Sequence, residues 1–162
     1  MRELEAALAP VTEEEARSRP FPGKWTIGEV ADHIAQTQIR AAEELRHLVA
    51  GRRPPGPPVY EALRSGAPAW APWTELADGV RSANQEVLAV LDAISESNVP
   101  EGAAARSILV ISRPNADNGA TAQIFSAELN WKEYALVQRL HLLEHRNQVK
   151  KLREALHAKT NQ

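Results

Sequence analysis

The 162-residue chain contains no cysteine. Disulfides, thiolate metal ligands and a cysteine nucleophile are excluded together. A metal site must therefore be built from His, Asp or Glu, and thiol chemistry requires a thiol from outside. No apolar run approaches the roughly 18 residues of a membrane span, and the opening MRELEAALAP has no apolar signal core. Neither export nor membrane insertion is indicated, and a cytoplasmic location is expected. Basic charge is not in surplus: 19 Lys and Arg stand against 21 Asp and Glu, a net charge of −2, so a nucleic-acid partner is not expected. No internal repeat is present. What remains is ordinary globular composition, 43% hydrophobic and 25% charged, and a length suited to one domain over residues 1–162 with one sizeable core.

The elements read as helices. Residues 1–18 are helical with Pro10 as an interruption, and Thr12 with Glu15 forms a capping box. Pro20 and Pro22 force an extended segment. Thr26 and Glu29 form a second capping box that opens a long helix. Its apolar positions Ile27, Val30, Ile34, Ala41, Leu45 and Leu48 recur at helical spacing, and Gly51 stops it. Residues 51–72 hold six of the eleven prolines, which makes them a long crossover, either a plain connection or the rim of a site. A further helix spans 73–97, with Leu76, Val80, Ala83, Val87, Leu91 and Ile94 on one face; NVPEG ends it. Trp70 and Trp73 are read as core packing. The stretch SILVI has strand propensity, but no partner for a lone strand is visible, and the start of a buried helix fits as well. RPNADNGA is turn-like. A last helix runs from about Leu129 to His157. Three long helices, a short N-terminal one and a poorly legible segment before the last predict an all-α fold, a helical bundle with a long Pro-rich crossover.

On the last helix, Tyr134, His141, His145, Gln148, Val149, Leu152 and Leu156 share about a third of the circumference. Leu136, Leu140 and Leu143 lie opposite, and call for cover from the N-terminal segment or from a second subunit. Two inward imidazoles are costly unless every ring nitrogen is paired. At the i, i+4 spacing His141 and His145 are close enough to share one divalent ion, with second-shell acceptors on the other nitrogens. His33, near the start of its helix and beside the apolar stripe, is the best third ligand. A His-x-x-x-His pair on a surface helix is also common with no function at all. His47 and His157 have no such company and read as solvated. HLLEH matches a metalloprotease motif, but the one acidic residue downstream, Glu154, lies on the same helix and does not fold back to the pair.

Two segments resemble the DinB-like superfamily, which includes bacillithiol transferases and the metal-binding half of mycothiol-dependent maleylpyruvate isomerases. RPFPGKWTIGEVADHIAQTQ is similar to its opening, with Trp25, the helix-capping Thr26 and His33. LNWKEYALVQRLHLLEHRNQVKKLR is similar to its closing helix, with His141, His145 and Gln148. The resemblance implies a four-helix bundle, often homodimeric, with a three-His divalent site at His33, His141 and His145. Zinc and nickel are the first candidates for the ion, and Gln148 is an orienting residue. It further implies a metal-dependent enzyme acting on a small molecule, by hydrolysis or by S-transfer with an external low-molecular-weight thiol. The alternative is a non-catalytic bundle that binds metal or a small ligand. No general base is assigned; Glu29 and Glu144 are candidates that read equally as solvated helix charges. Before the last helix the family often carries a His-Pro-x-x-Gly-like stretch. Here Arg113 precedes Pro114, and substrate contacts from that region do not transfer.

Overall fold

The computed structural model describes residues 1–59, 61–66, 71–95, 105–114 and 120–160, with side chains for all of these but 105–114, 120–126, 159 and 160. The chain runs α1 (Arg2–Leu8), α2 (Glu13–Arg17), α3 (Ile27–Val49), α4 (Trp73–Asp92), β1 (Ala105–Pro114), β2 (Ala120–Leu129) and α5 (Trp131–Thr160). Helix α3 packs against α4 and α5, and α1 lies across from it against the same two helices, which closes a four-helix bundle. Helix α2 is short and rests on α3 and α4.

The starts of α2, α3, α4 and α5 are fixed by side-chain chemistry. Both expected capping boxes are formed. Thr12 and Thr26 accept from the backbone N–H of Glu15 and Glu29, whose carboxylates accept in return from the threonine N–H. Gly28, in the first turn of α3, is a point of close approach. A Cβ there would stand 3.2 Å from the Ala16 carbonyl oxygen and 3.3 Å from Leu76 Cδ1. Helix α3 ends before Gly51, whose φ of 69° lies in the left-handed region that favours a residue without Cβ. The first N–H of α4, on Trp73, is taken by Glu13 of α2 at 2.8 Å. Helix α5 opens on a capping box absent from the sequence reading. Asn130 Oδ1 accepts from the N–H of Lys132 and Glu133, and Glu133 accepts from the N–H of Asn130.

Two expectations change. Helix α4 stops at Asp92 rather than 97. The SILVI stretch does have a partner: β1 pairs antiparallel with β2 from Ala105 opposite Leu129 to Pro114 opposite Ala120. The small residues of ATAQIFSAEL conceal a strand from a search for apolar alternation. The hairpin is an addition to the bundle, between α4 and α5. Trp73 is buried as expected. Trp70, NVPEG and residues 115–119 of the turn-like stretch lie outside the described residues.

Among the described residues the core has two apolar parts. One gathers Leu4, Leu8, Ile27, Val30, Ile34, Trp73, Val80, Leu142, Val149 and Leu152. The other gathers Ala41, Ala42, Leu45, Leu48, Val87 and Tyr134. At the level between them each long helix contributes one buried amide: Gln38 from α3, Asn84 from α4 and Gln138 from α5. Glu5 of α1 reaches the same level and accepts from Asn84 Nδ2 at 2.9 Å. The inner face predicted for α5 is buried at Tyr134, Val149 and Leu152. On the opposite face Leu136 and Leu140 are not covered by the N-terminal segment and remain 52% and 51% exposed, whereas Leu143 is half-buried.

Because Thr26 caps the helix that carries His33, its loss is expected to be felt as stability. Thr26→Ala should cost about 1 kcal/mol, lowering the melting temperature by roughly 2–4 °C for a chain of this size. An unchanged thermal melt would show that the box contributes nothing.

Candidate metal centre

His33 sits in the second turn of α3, and His141 and His145 sit one turn apart on α5. The packing of α3 on α5 brings all three together, with their donor atoms within 4.8 Å of one another. His141 Nε2 lies 3.2 Å from His33 Nε2 and 2.9 Å from His145 Nε2. Two nitrogens bound at ~2.0–2.1 Å to one ion, at angles between octahedral and tetrahedral, stand about 2.9–3.4 Å apart. The trio could hold one metal ion. His33 is buried and the other two are half-buried, so the site is not sealed.

The nitrogens facing away explain the convergence. His33 Nδ1–H donates to the Leu63 carbonyl at 2.9 Å, and His145 Nδ1–H donates to Gln148 Oε1 at 2.8 Å. These bonds leave Nε2 of both rings as lone pairs. Both lone pairs face His141 Nε2, which has room for one proton at most. Three inward nitrogens with at most one hydrogen among them suit a cation. Gln148 takes the orienting place expected of it.

The Leu63 carbonyl is held by a clasp between the crossover and α3. Asp32 accepts from the N–H of Ser65 at 3.0 Å and from its hydroxyl. The Arg64 guanidinium lies 5.1 Å from the Trp25 ring centroid, and Trp25 lies 5.0 Å from the His33 ring. Arg64 also reaches Glu29 at 3.2 Å. Sequence reasoning missed Asp32, Arg64 and Ser65. Asp32 is adjacent to His33 and was open to notice, whereas a backbone carbonyl thirty residues away carries no sequence signal.

The other candidates fall elsewhere. Glu29 is committed to the Thr26 N–H, Arg19 and Arg64. Burial pushes its carboxyl up, but these three partners outweigh it and hold it below the usual range. It is not a free base. Glu144 is exposed. His157 is exposed and pairs with Glu15 at 2.7 Å, and His47 is half-buried near the end of α3, outside the trio.

Burial drives the three imidazoles toward the neutral form. His141 is pushed down to about 3, by burial first and then by His145 and His33. His145 is pushed down to about 4, chiefly by burial, and His33 is lowered for the same reason. In the unfolded chain these rings take up protons near their usual 6.5. Between 6.5 and about 4 the unfolded state therefore binds more protons, and stability falls as pH falls. It is complete above 6.5. The metal-free protein should lose on the order of 1 kcal/mol for each of His141 and His145 between pH 7.5 and 5.5, with His33 adding in the same direction. Urea unfolding with chelator present measures this, and equal stability at the two pH values would contradict buried neutral rings.

A family model described as the DinB superfamily matches residues 1–149. No curated protein matches the chain. Among solved structures, one titled "Crystal structure of TT2238, a four-helix bundle protein" is similar at 19% identity and a TM-score of 0.55. The match covers 93% of this chain and 89% of that one, and at this identity it shows the bundle fold alone. The match over residues 1–149 places this chain in the DinB superfamily.

Proposed function

We propose that the chain is a metal-dependent enzyme acting on a small molecule at a divalent site ligated by His33, His141 and His145. The reaction is hydrolysis or S-transfer with an external low-molecular-weight thiol. One observation carries this reading: the three Nε2 atoms meet at 2.9 and 3.2 Å while the outward nitrogens of His33 and His145 are already bonded. When bound, an ion held by three neutral imidazoles supplies its full +2 charge and an open position, which lower the pKa of a water or thiol brought to it. Zinc and nickel suit an all-imidazole set. His33, His141 and His145 ligate, and Gln148 and the Leu63 carbonyl hold two of the rings in the ligating tautomer. The chain has no cysteine of its own, so a reacting thiol comes from outside. The second reading is a non-catalytic metal- or small-ligand-binding bundle. It is favoured by the commitment of Glu29 to its cap and its two arginines, which leaves that carboxylate unable to serve as base.

Purified protein loaded with zinc should contain one ion per chain by mass spectrometry of the metal. His145→Ala should abolish stoichiometric binding yet keep the helical circular dichroism spectrum, because the apolar clusters and not the ion supply most of the burial. Complete unfolding of the metal-free wild type would make the ion structural instead. Zinc-loaded protein that turns over neither thiol-acceptor pairs nor hydrolysable esters and amides would favour the binding module.

We further propose that the chain forms a homodimer through the outer face of α5. Half-exposed leucines one turn apart, Leu136 and Leu140, make a face of the kind that marks an interaction surface. Leu140→Glu should convert the dimer to a monomer by light scattering and leave the metal content unchanged. A wild type that is already monomeric would overturn this part of the proposal.

A further inference from the structure

The outward nitrogens of the trio are not served alike. Those of His33 and His145 have acceptors, but His141 Nδ1 is buried and has no partner. One turn earlier on the same helix, Gln138 Oε1 is also buried and without a partner. One atom is a donor once its ring turns Nε2 to the trio, and the other is an acceptor. Residues three apart are neighbours on a helix surface, and His145 is already served by Gln148 at that spacing. An unpaired buried donor and an unpaired buried acceptor are both costly, and one shared bond removes both penalties.

The orientation of the Gln138 amide follows from its other end. Tyr134, one turn further back, is buried, and its phenol feels the Glu44 carboxylate and the Gln138 amide as neighbours. Burial and the neighbouring Glu44 carboxylate keep the phenol protonated. A protonated phenol beside a carboxylate turns its O–H toward it, which leaves the phenol oxygen to the Gln138 Nε2 end. The carbonyl end of Gln138 is then the free end. Glu44 is fixed in turn by Arg40 Nε at 2.7 Å.

We propose that Gln138 is a positioning residue for His141. Its Oε1 accepts the Nδ1–H of His141, keeps Nε2 aimed at His33 and His145, and ties the ring through Tyr134 to Glu44 on α3. Rotation of the two side chains about their own bonds forms the hydrogen bond, with Gln138 Nε2 left on the Tyr134 side. The consequence for metal affinity rests on the three-His reading above; the hydrogen bond itself does not.

The test uses the full chain labelled with 15N-histidine, metal-free and zinc-loaded. In wild type, His141 should be the Nδ1–H tautomer in both states. Gln138→Leu should shift the metal-free ring toward Nε2–H and weaken zinc binding about tenfold in a chelator competition. Gln138→Glu, which restores an acceptor, should recover both. A metal-free wild-type His141 found as Nε2–H overturns the proposal, as does a folded Gln138→Leu with wild-type tautomer and affinity. Should Gln138→Leu fail to fold, the wild-type tautomer decides. A wild type that takes up no zinc overturns the three-His function, and the tautomer shift in the metal-free protein still decides the role of Gln138.

Discussion

An imidazole has two nitrogens, and a buried one must have both of them paired. Three imidazoles meeting at one point make that requirement govern the surrounding structure. The inward nitrogens serve one another or an ion, and the outward ones must find acceptors on three different sides. On the α3 side no side chain serves; the acceptor for His33 is the Leu63 carbonyl, thirty residues on in the crossover. That bond demands an ordered crossover at this point. Asp32 supplies the order by holding Ser65, and Arg64 is held between Glu29 and Trp25. The prolines of residues 54–58 restrict the unfolded crossover and so reduce the entropy lost when it is clasped. The Pro-rich segment, which carries no regular structure there, is thus part of the site's support.

Much of this was legible in the sequence, for identifiable reasons. The two threonine capping boxes depend on residues three apart, and both formed. The inner face of α5 follows from helical spacing alone, and Tyr134, Val149 and Leu152 are buried as that spacing requires. His33 was reachable because it lies in the second turn of a sharply capped helix, which fixes its height along the bundle. What stayed hidden depends on pairing between distant segments. The β2 strand is built from small and polar residues and is recognisable only opposite β1. The clasp uses one aspartate, one serine and a backbone carbonyl, none of which forms a local pattern. Asn130 with Glu133 follows the same three-residue rule as Thr26 with Glu29, but a helix drawn from Leu129 places Asn130 inside it and hides the cap.

The buried amides raise a different question, since each costs stability unless paired. Gln38 is fully buried with neither end bonded, and Asn84 and Gln138 each leave an oxygen unpaired. They occur once per long helix, at one level, between two apolar clusters. That placement has a consequence for register. Sliding α5 along α3 by one turn, about 5.4 Å, would move Gln138 out of the polar level and against the aliphatic residues of one cluster. The same slide would carry His141 and His145 past His33 and destroy the convergence. Apolar clusters alone penalise such a slide weakly, because an alanine or leucine packs against many neighbours. A buried amide penalises it more, because among aliphatic side chains it loses the polar company of its own level. The layer that weakens the core in energy therefore also resists loss of the alignment on which the three-histidine arrangement depends.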